Sequence, residues 1–301
     1  MPSRTVDFLV LGVGVVVVSF AAILIRFAHA EGASSLAIAA VRLTVAAVVL
    51  APFVWLRAGA EILRLPRREL GLCILSGALL ALHFWAWITS LEHTSVASST
   101  ALVTTNPLWV ALASAIFLRE RPGSAAVTGI VLALAGSVLI FAADASRMSG
   151  PQAGPILGNA LALVGAISAS GYLLVGRALR SRVSLMAYIW LAYSSAAVLL
   201  LAAAMATGVS LVPLSGTAWG FMVTLALGPQ LIGHTTFNWA LRRLTATFVA
   251  VAILGEPVGS ALLAYFIFGE HFSAMQFAGF VLLLLGIFVA ARDEKFREIR
   301  N

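Results

Sequence analysis

The chain has 301 residues, of which 61% are hydrophobic and only 10% charged, and it carries a formal net charge of +7. Its mean hydropathy is +1.03, whereas a soluble domain carries about 25% charged residues, so a soluble fold is excluded. The lone Cys73 excludes an internal disulfide and cannot by itself form a thiolate metal site.

Apolar runs follow one another along the chain, each long enough for a bilayer span of about 20 residues. They read as ten helices at 7–27, 35–56, 70–91, 97–117, 124–142, 155–177, 184–207, 217–237, 244–267 and 274–292. Helices are expected because a helix satisfies its own backbone in lipid. The runs are also too uniformly apolar for barrel strands, which alternate over about ten residues. The fold class is therefore an all-α membrane protein.

In chain order, the first span offers only Ser19 as a polar lining group, and the second carries Arg42, an intramembrane charge free to snorkel outward or to attract an anion. The third places Ser76, His83 and Trp87 on one face, with Trp85 on another. The fourth gathers Thr104, Thr105, Asn106 and Trp109 around the helix breaker Pro107. The fifth has little beyond Gly129 and Gly136, and reads as scaffold or as a self-association face. The sixth offers Ser168 and Tyr172, four residues apart, and Trp190 and Trp239 lie within the later spans. In the eighth, Gln230, His234 and Asn238 recur every four residues, a stripe that suits a substrate path or bonds between helices. A kink is expected there at Gly228-Pro229. The ninth holds Glu256 directly before Pro257, near the membrane midplane. That carboxylate is expected either to bind or titrate with a substrate ammonium, or to brace the kink. The tenth repeats the glycine pattern with Gly279 and Gly286. Trp55 lies near a membrane surface and fits an interfacial belt.

Basic residues cluster at Arg4, 57–68, 119–121, 177–182, 242–243 and 292–300, all on one side of the membrane if the N-terminus is cytoplasmic. Only Arg26 and Arg147 fall on the other side. This asymmetry predicts cytoplasmic termini and accounts for the positive charge without a nucleic-acid partner. No cleavable signal is evident, so the first span is expected to remain as an anchor.

The halves 1–150 and 151–301 echo each other. A shift of 150 superposes Pro107 on Pro257, Glu120 on Glu270, Gly129 on Gly279 and Gly136 on Gly286, while a shift of 151 superposes His83 on His234 and Arg26 on Arg177. Five spans per half is an odd number, so the second half enters the membrane inverted, as in many secondary transporters. Glu120 and Glu270 end their spans at opposite surfaces and read as caps or ion-pair partners.

Each half thus carries Pro followed thirteen residues later by Glu. These are preceded by AWITSLEHTSVASSTALV and WALRRLTATFVAVAIL, and AIAAVRLTVAAVVL sets an Arg near the start of the second span. The pattern resembles the drug/metabolite transporter superfamily, in its ten-helix EamA-type branch, over essentially the whole chain. It is most similar there to bacterial exporters of amino acids, aromatic ones included. The resemblance implies an inner-membrane secondary carrier for a small molecule and a structural or gating role for Arg42.

Other functions fit less well. There is no GxxxxGK[ST] phosphate loop, HExxH or GxSxG. The aspartates, Asp7, Asp144 and Asp293, all lie near span ends, so neither an ATP motor nor an intramembrane enzyme is expected, and no cofactor is implied. A channel would want charged rings or filter backbones, and a nucleotide-sugar exchanger would want several cavity cations. The sequence leaves oligomeric state and substrate identity open.

Overall fold

The computed structural model describes residues 4–93, 99, 102–103, 105–118, 122–145, 155–211, 215–269 and 273–299. Thr104, Glu120, Glu270 and the Arg119–Arg121 turn lie outside the described residues. Among the described residues all regular structure is helical. The helices are α1 (Arg4–Ala30), α2 (Ser35–Leu63), α3 (Arg67–His93), α4 (Asn106–Ala113), α5 (Ser124–Ala145), α6 (Pro155–Leu179), α7 (Leu185–Thr207), α8 (Gly216–Leu225), α9 (Thr235–Ala240), α10 (Ala246–Ile253), α11 (Gly255–Phe268) and α12 (Ala274–Ile299). Seven stretches are long and apolar enough to cross a membrane, one of them running through α10 and α11, and Asn106–Phe117 and Ser124–Leu139 are shorter apolar helices.

Helix starts follow the sequence. Ser34, Ser184, Ser215 and Thr245 each accept the backbone N–H three residues on, at 3.1 to 3.3 Å, which satisfies a donor the helix cannot. Gly208 closes α7 at φ 68°, a conformation that costs glycine least. Leu9, Leu56, Phe117, Ile156 and Phe266 face outward and exposed, as a lipid-facing surface requires.

Two expected kinks become breaks with distinct geometry. Between α8 and α9 the chain widens into a nine-residue π-helical stretch, Ala226–His234, with Pro229 inside it. A wider turn accommodates the ring and the missing donor of proline. The ninth span breaks at Leu254 rather than at Pro257 itself. Pro257 cannot bond the carbonyl four residues back, at Ile253, so α10 ends there and Pro257 sits in the first turn of α11, where its donor would have no partner anyway.

The core is built on small residues. α3 lies along α6 and α7, α2 along α7, and α1 against α8, the π-helical stretch and α11. A Cβ on Gly77 would come within 2.5 Å of the Ala192 carbonyl and 2.6 Å of Ser195 Cβ. Gly77→Val is therefore expected to cost about 1–3 kcal/mol by overpacking, read as a lower unfolding temperature in micelles. An unchanged temperature would mean that α3 and α7 are not held this closely.

α5 and α12 lie along each other. Gly129 would meet the Gly286 carbonyl at 2.6 Å, and Gly136 the Gly279 carbonyl at 2.6 Å. The lower-numbered glycine of one helix faces the higher-numbered glycine of the other, so the helices cross antiparallel. These glycines serve packing within one chain.

The two ends of the bundle are polar. At one, Arg243 pairs with Asp7 (3.1 Å), Arg182 with Glu69 (3.5 Å), and Ser184 N donates to Glu61 (2.7 Å). Burial there pushes the Arg180 guanidinium below its ordinary value. At the other, Ser215 donates to Glu31 (2.5 Å) and Ser35 N to Glu92 (3.3 Å).

Candidate functional site

α2 places Arg42 wholly inside the protein. Its surroundings, rather than its helix, define it. Arg42 Nε donates to Gln230 Oε1 at 2.7 Å, from a residue on the π-helical stretch. The guanidinium carbon lies 4.0 Å from the centre of the Phe84 ring, within the range of a favourable cation–π contact. The two terminal nitrogens, Nη1 and Nη2, are buried without a hydrogen-bond partner. Snorkelling toward a membrane surface is ruled out by this complete burial.

Phe84 is the hub of an aromatic group. His83 lies 4.8 Å from it and His234 5.3 Å, with the His234 ring edge-on. The two histidines that superpose between the halves thus flank one ring. His83 also stacks on Trp87 at 5.9 Å, with 8° between planes. His83 Nδ1 donates to the Gly165 carbonyl of α6 at 3.0 Å, which puts a proton on that nitrogen. Trp87 Nε1, His234 Nδ1 and Gln230 Nε2 are buried with no partner.

A second layer of hydroxyls lies behind this group. Asn238, fully buried, donates through Nδ2 to the Tyr172 hydroxyl and to the His234 carbonyl (2.8 Å), while its Oδ1 has no partner. Tyr193 donates to the Gln230 carbonyl at 3.5 Å and lies 3.3 Å from Thr235 Oγ1. Tyr188 bonds Ser76 at 2.6 Å. Buried Tyr hydroxyls need such partners.

Glu256 is half-buried in the first turn of α11, where a helix N-terminus favours a negative charge. Arg42 is the charged group whose field reaches it, yet no ion pair joins them among the described residues. α11 is tied to α1 instead: Ser260 donates to the Ser19 backbone carbonyl (2.8 Å), while the Ser19 hydroxyl donates to the Val15 carbonyl of its own helix (2.9 Å) and only at long range (3.4 Å) approaches the Glu256 carbonyl. Ser19, expected as a lining group, is buried where α1 meets α11. A Cβ on Gly259 would run into the Ser19 hydroxyl, so α1 and α11 touch closely here.

Gln230, His234 and Asn238 do share the interior, with Tyr172, His83 and Trp87 around them. Asn106 and Trp109 bond other partners. Asn106 accepts from Ser170 through its carbonyl (3.1 Å), and Trp109 donates to Thr105 on its own chain segment (3.1 Å). Neither bonds or stacks with the Arg42 group among the described residues. Still, α4, which opens with Asn106-Pro107, packs against α10, so the two broken spans meet. Phe84, Tyr188 and Tyr193 belong to the site without standing in any polar stripe of the sequence. A tyrosine inside an apolar span needs a polar partner, and that signal marks the last two.

Comparison with known proteins agrees with this architecture. A 198-residue stretch is 29% identical to an uncharacterized transporter of Archaeoglobus fulgidus, covering 64% of this chain and 67% of that one. A solved crystal structure superposes with a TM-score of 0.82 at 21% identity, covering 98% of this chain and 100% of the other; at that identity the likeness speaks for the fold alone. The EamA-like transporter family matches twice, over residues 6–142 and 156–292, and the chain belongs to that family of multi-pass membrane transporters of the drug/metabolite type.

Proposed function

We propose that the protein is a secondary carrier of a bacterial inner membrane, exporting amino acids, aromatic ones included, and related small metabolites by alternating access around a midplane site. In this reading ten spans form two inverted five-helix repeats, 1–150 and 151–301, with both termini cytoplasmic. The clustered basic residues support the orientation. The crossed glycine pairs of α5 and α12 support the inversion. An in-plane two-fold axis relating Gly129 to Gly279 and Gly136 to Gly286 brings each glycine against the other's counterpart.

The observation that carries the substrate class is Glu256. Its carboxylate stands at a break in the ninth span and takes no hydrogen bond among the described residues, with a buried cation in electrostatic reach. A brace for the kink would spend its oxygens on neighbours. An unspent carboxylate is a ligand for an ammonium. Gln230, His234, Asn238, His83, Trp87 and Tyr172 would complete the site, and Asn106 and Trp109 would line its approach where α4 meets α10. Rocking of the two repeats, with Pro107, Pro229 and Pro257 at the flexed points, would expose the site to each side in turn.

The test is uptake of labelled leucine, phenylalanine, lysine and glutamate into proteoliposomes, with and without a pH gradient. Saturable uptake of one or more is expected. No uptake of any in intact vesicles would end the amino-acid assignment and direct attention to drugs, sugars and nucleotide metabolites.

A further inference from the structure

We infer that Arg42 is the carboxylate-binding residue of the site, with Gln230 orienting it. The inference rests on the amino-acid reading above and names the other half of the zwitterion. A guanidinium has five N–H donors in a fixed plane. Here Nε is spent on Gln230 Oε1 at 2.7 Å, and one face of the plane is spent on Phe84 at 4.0 Å. These two contacts lock the plane and leave the edge carrying Nη1 and Nη2 without an acceptor, buried from solvent.

That arrangement is a poor structural device. Burying a cation without a paired anion costs several kcal/mol, and a bracing arginine would recover part of that cost by spending its terminal donors on carbonyls. Arg180 does this, donating to the carbonyls of Val183 (2.8 Å) and Ser184 (3.3 Å). Arg177 likewise donates to the Leu241 carbonyl at 2.7 Å. Arg42 differs from both. Its free edge matches the two oxygens of a carboxylate, which guanidinium binds bidentately. Gln230 Nε2, also buried without a partner, supplies a further donor beside it. Glu256 is not that carboxylate, since no ion pair joins it to Arg42 among the described residues, while the field between them persists. An amino acid carries its ammonium and carboxylate on one carbon, and would satisfy both groups together. The atoms are closed off in this conformation, so entry requires the movement that alternating access provides.

The test compares each of leucine, phenylalanine, lysine and glutamate with its own α-carboxamide, by isothermal titration on the purified full-length protein in detergent. The amide keeps the ammonium and side chain and loses the charged carboxylate. The acid is expected to bind about 30-fold more tightly than its amide, the scale of a charge-assisted hydrogen-bond pair. Arg42→Gln should reduce that ratio to about threefold or less. Because the acid-to-amide ratio is measured on the unaltered protein, it can overturn the inference even if Arg42→Gln fails to fold. Acid and amide binding equally would overturn the inference and leave amino-acid carriage standing. Binding of 4-methylpentanoate that depends on Arg42, without uptake of any amino acid, would uphold Arg42 as a carboxylate site and overturn the amino-acid reading. Absence of binding by every acid would overturn the inference.

Discussion

Glu256→Gln is expected to leave the protein folded and to lower amino-acid uptake by about 10- to 100-fold, the worth of one charge-assisted hydrogen bond in a buried site. Folding should survive because the carboxylate forms no hydrogen bond within the described residues. α11 is held to α1 through the bond from Ser260 to the Ser19 backbone carbonyl. The amide has the same shape but cannot neutralise an ammonium, so the loss should fall on transport rather than on yield. Ser19→Ala provides the contrast. It removes a hydroxyl that bonds chiefly the Val15 carbonyl of its own helix and leaves the Ser260 bond to the Ser19 backbone in place. It should therefore cost less than an inter-helix bond in a membrane protein, about 0.6 kcal/mol, with little effect on uptake. A folded Glu256→Gln protein with normal uptake would remove Glu256 from the site.

The largest stability effect is expected at the α5–α12 seam. Beyond the two glycine carbonyls, a Cβ on Gly129 would lie 2.9 Å from Ala290 N, and one on Gly136 2.7 Å from Leu283 N. These are backbone atoms, so relief requires the helices to separate. Apolar side chains cannot recover the loss, because lipid is as apolar as they are and close van der Waals packing is what drives association here. Each Gly→Leu change should cost about 1–3 kcal/mol or more. The double variant is expected to unfold at a much lower temperature and to be cleaved faster by protease. Retained stability would mean that the crossed glycine contacts do not hold the pair together.

The sequence carried the broad architecture because hydropathy in lipid is a strong constraint. It also carried the breaks, since Pro229 and Pro257 remove donors wherever they stand. The glycine seam was legible as a packing surface, although its partner helix was not, because spacing within a helix says nothing of what faces it. The site was half legible. Gln230 and Asn238 could be picked from their stripe, but the bond from Arg42 to Gln230 joins residues 188 positions apart. Nothing local to Arg42 announces it, and so snorkelling stood as an open choice. Ser19 stood out as a lone hydroxyl in an apolar helix, but that its backbone carbonyl takes a bond from Ser260, 241 positions away, could not be read locally. Asn106 and Trp109 were legible by type; the Trp109 indole bonds Thr105, one turn back, while Asn106 gives Ser170 only its backbone carbonyl. Tyr188 and Tyr193 form no stripe, and their partners lie on other helices.

Counterflow tests the central claim most directly. Proteoliposomes are loaded with an unlabelled amino acid that the uptake panel identifies, and entry of the labelled compound is followed over time. A carrier that exposes one site to each side in turn should show saturable entry, faster in loaded than in empty vesicles, with a transient overshoot above equilibrium. Entry that rises linearly with concentration and ignores the internal amino acid would contradict alternating access and indicate a passive pore.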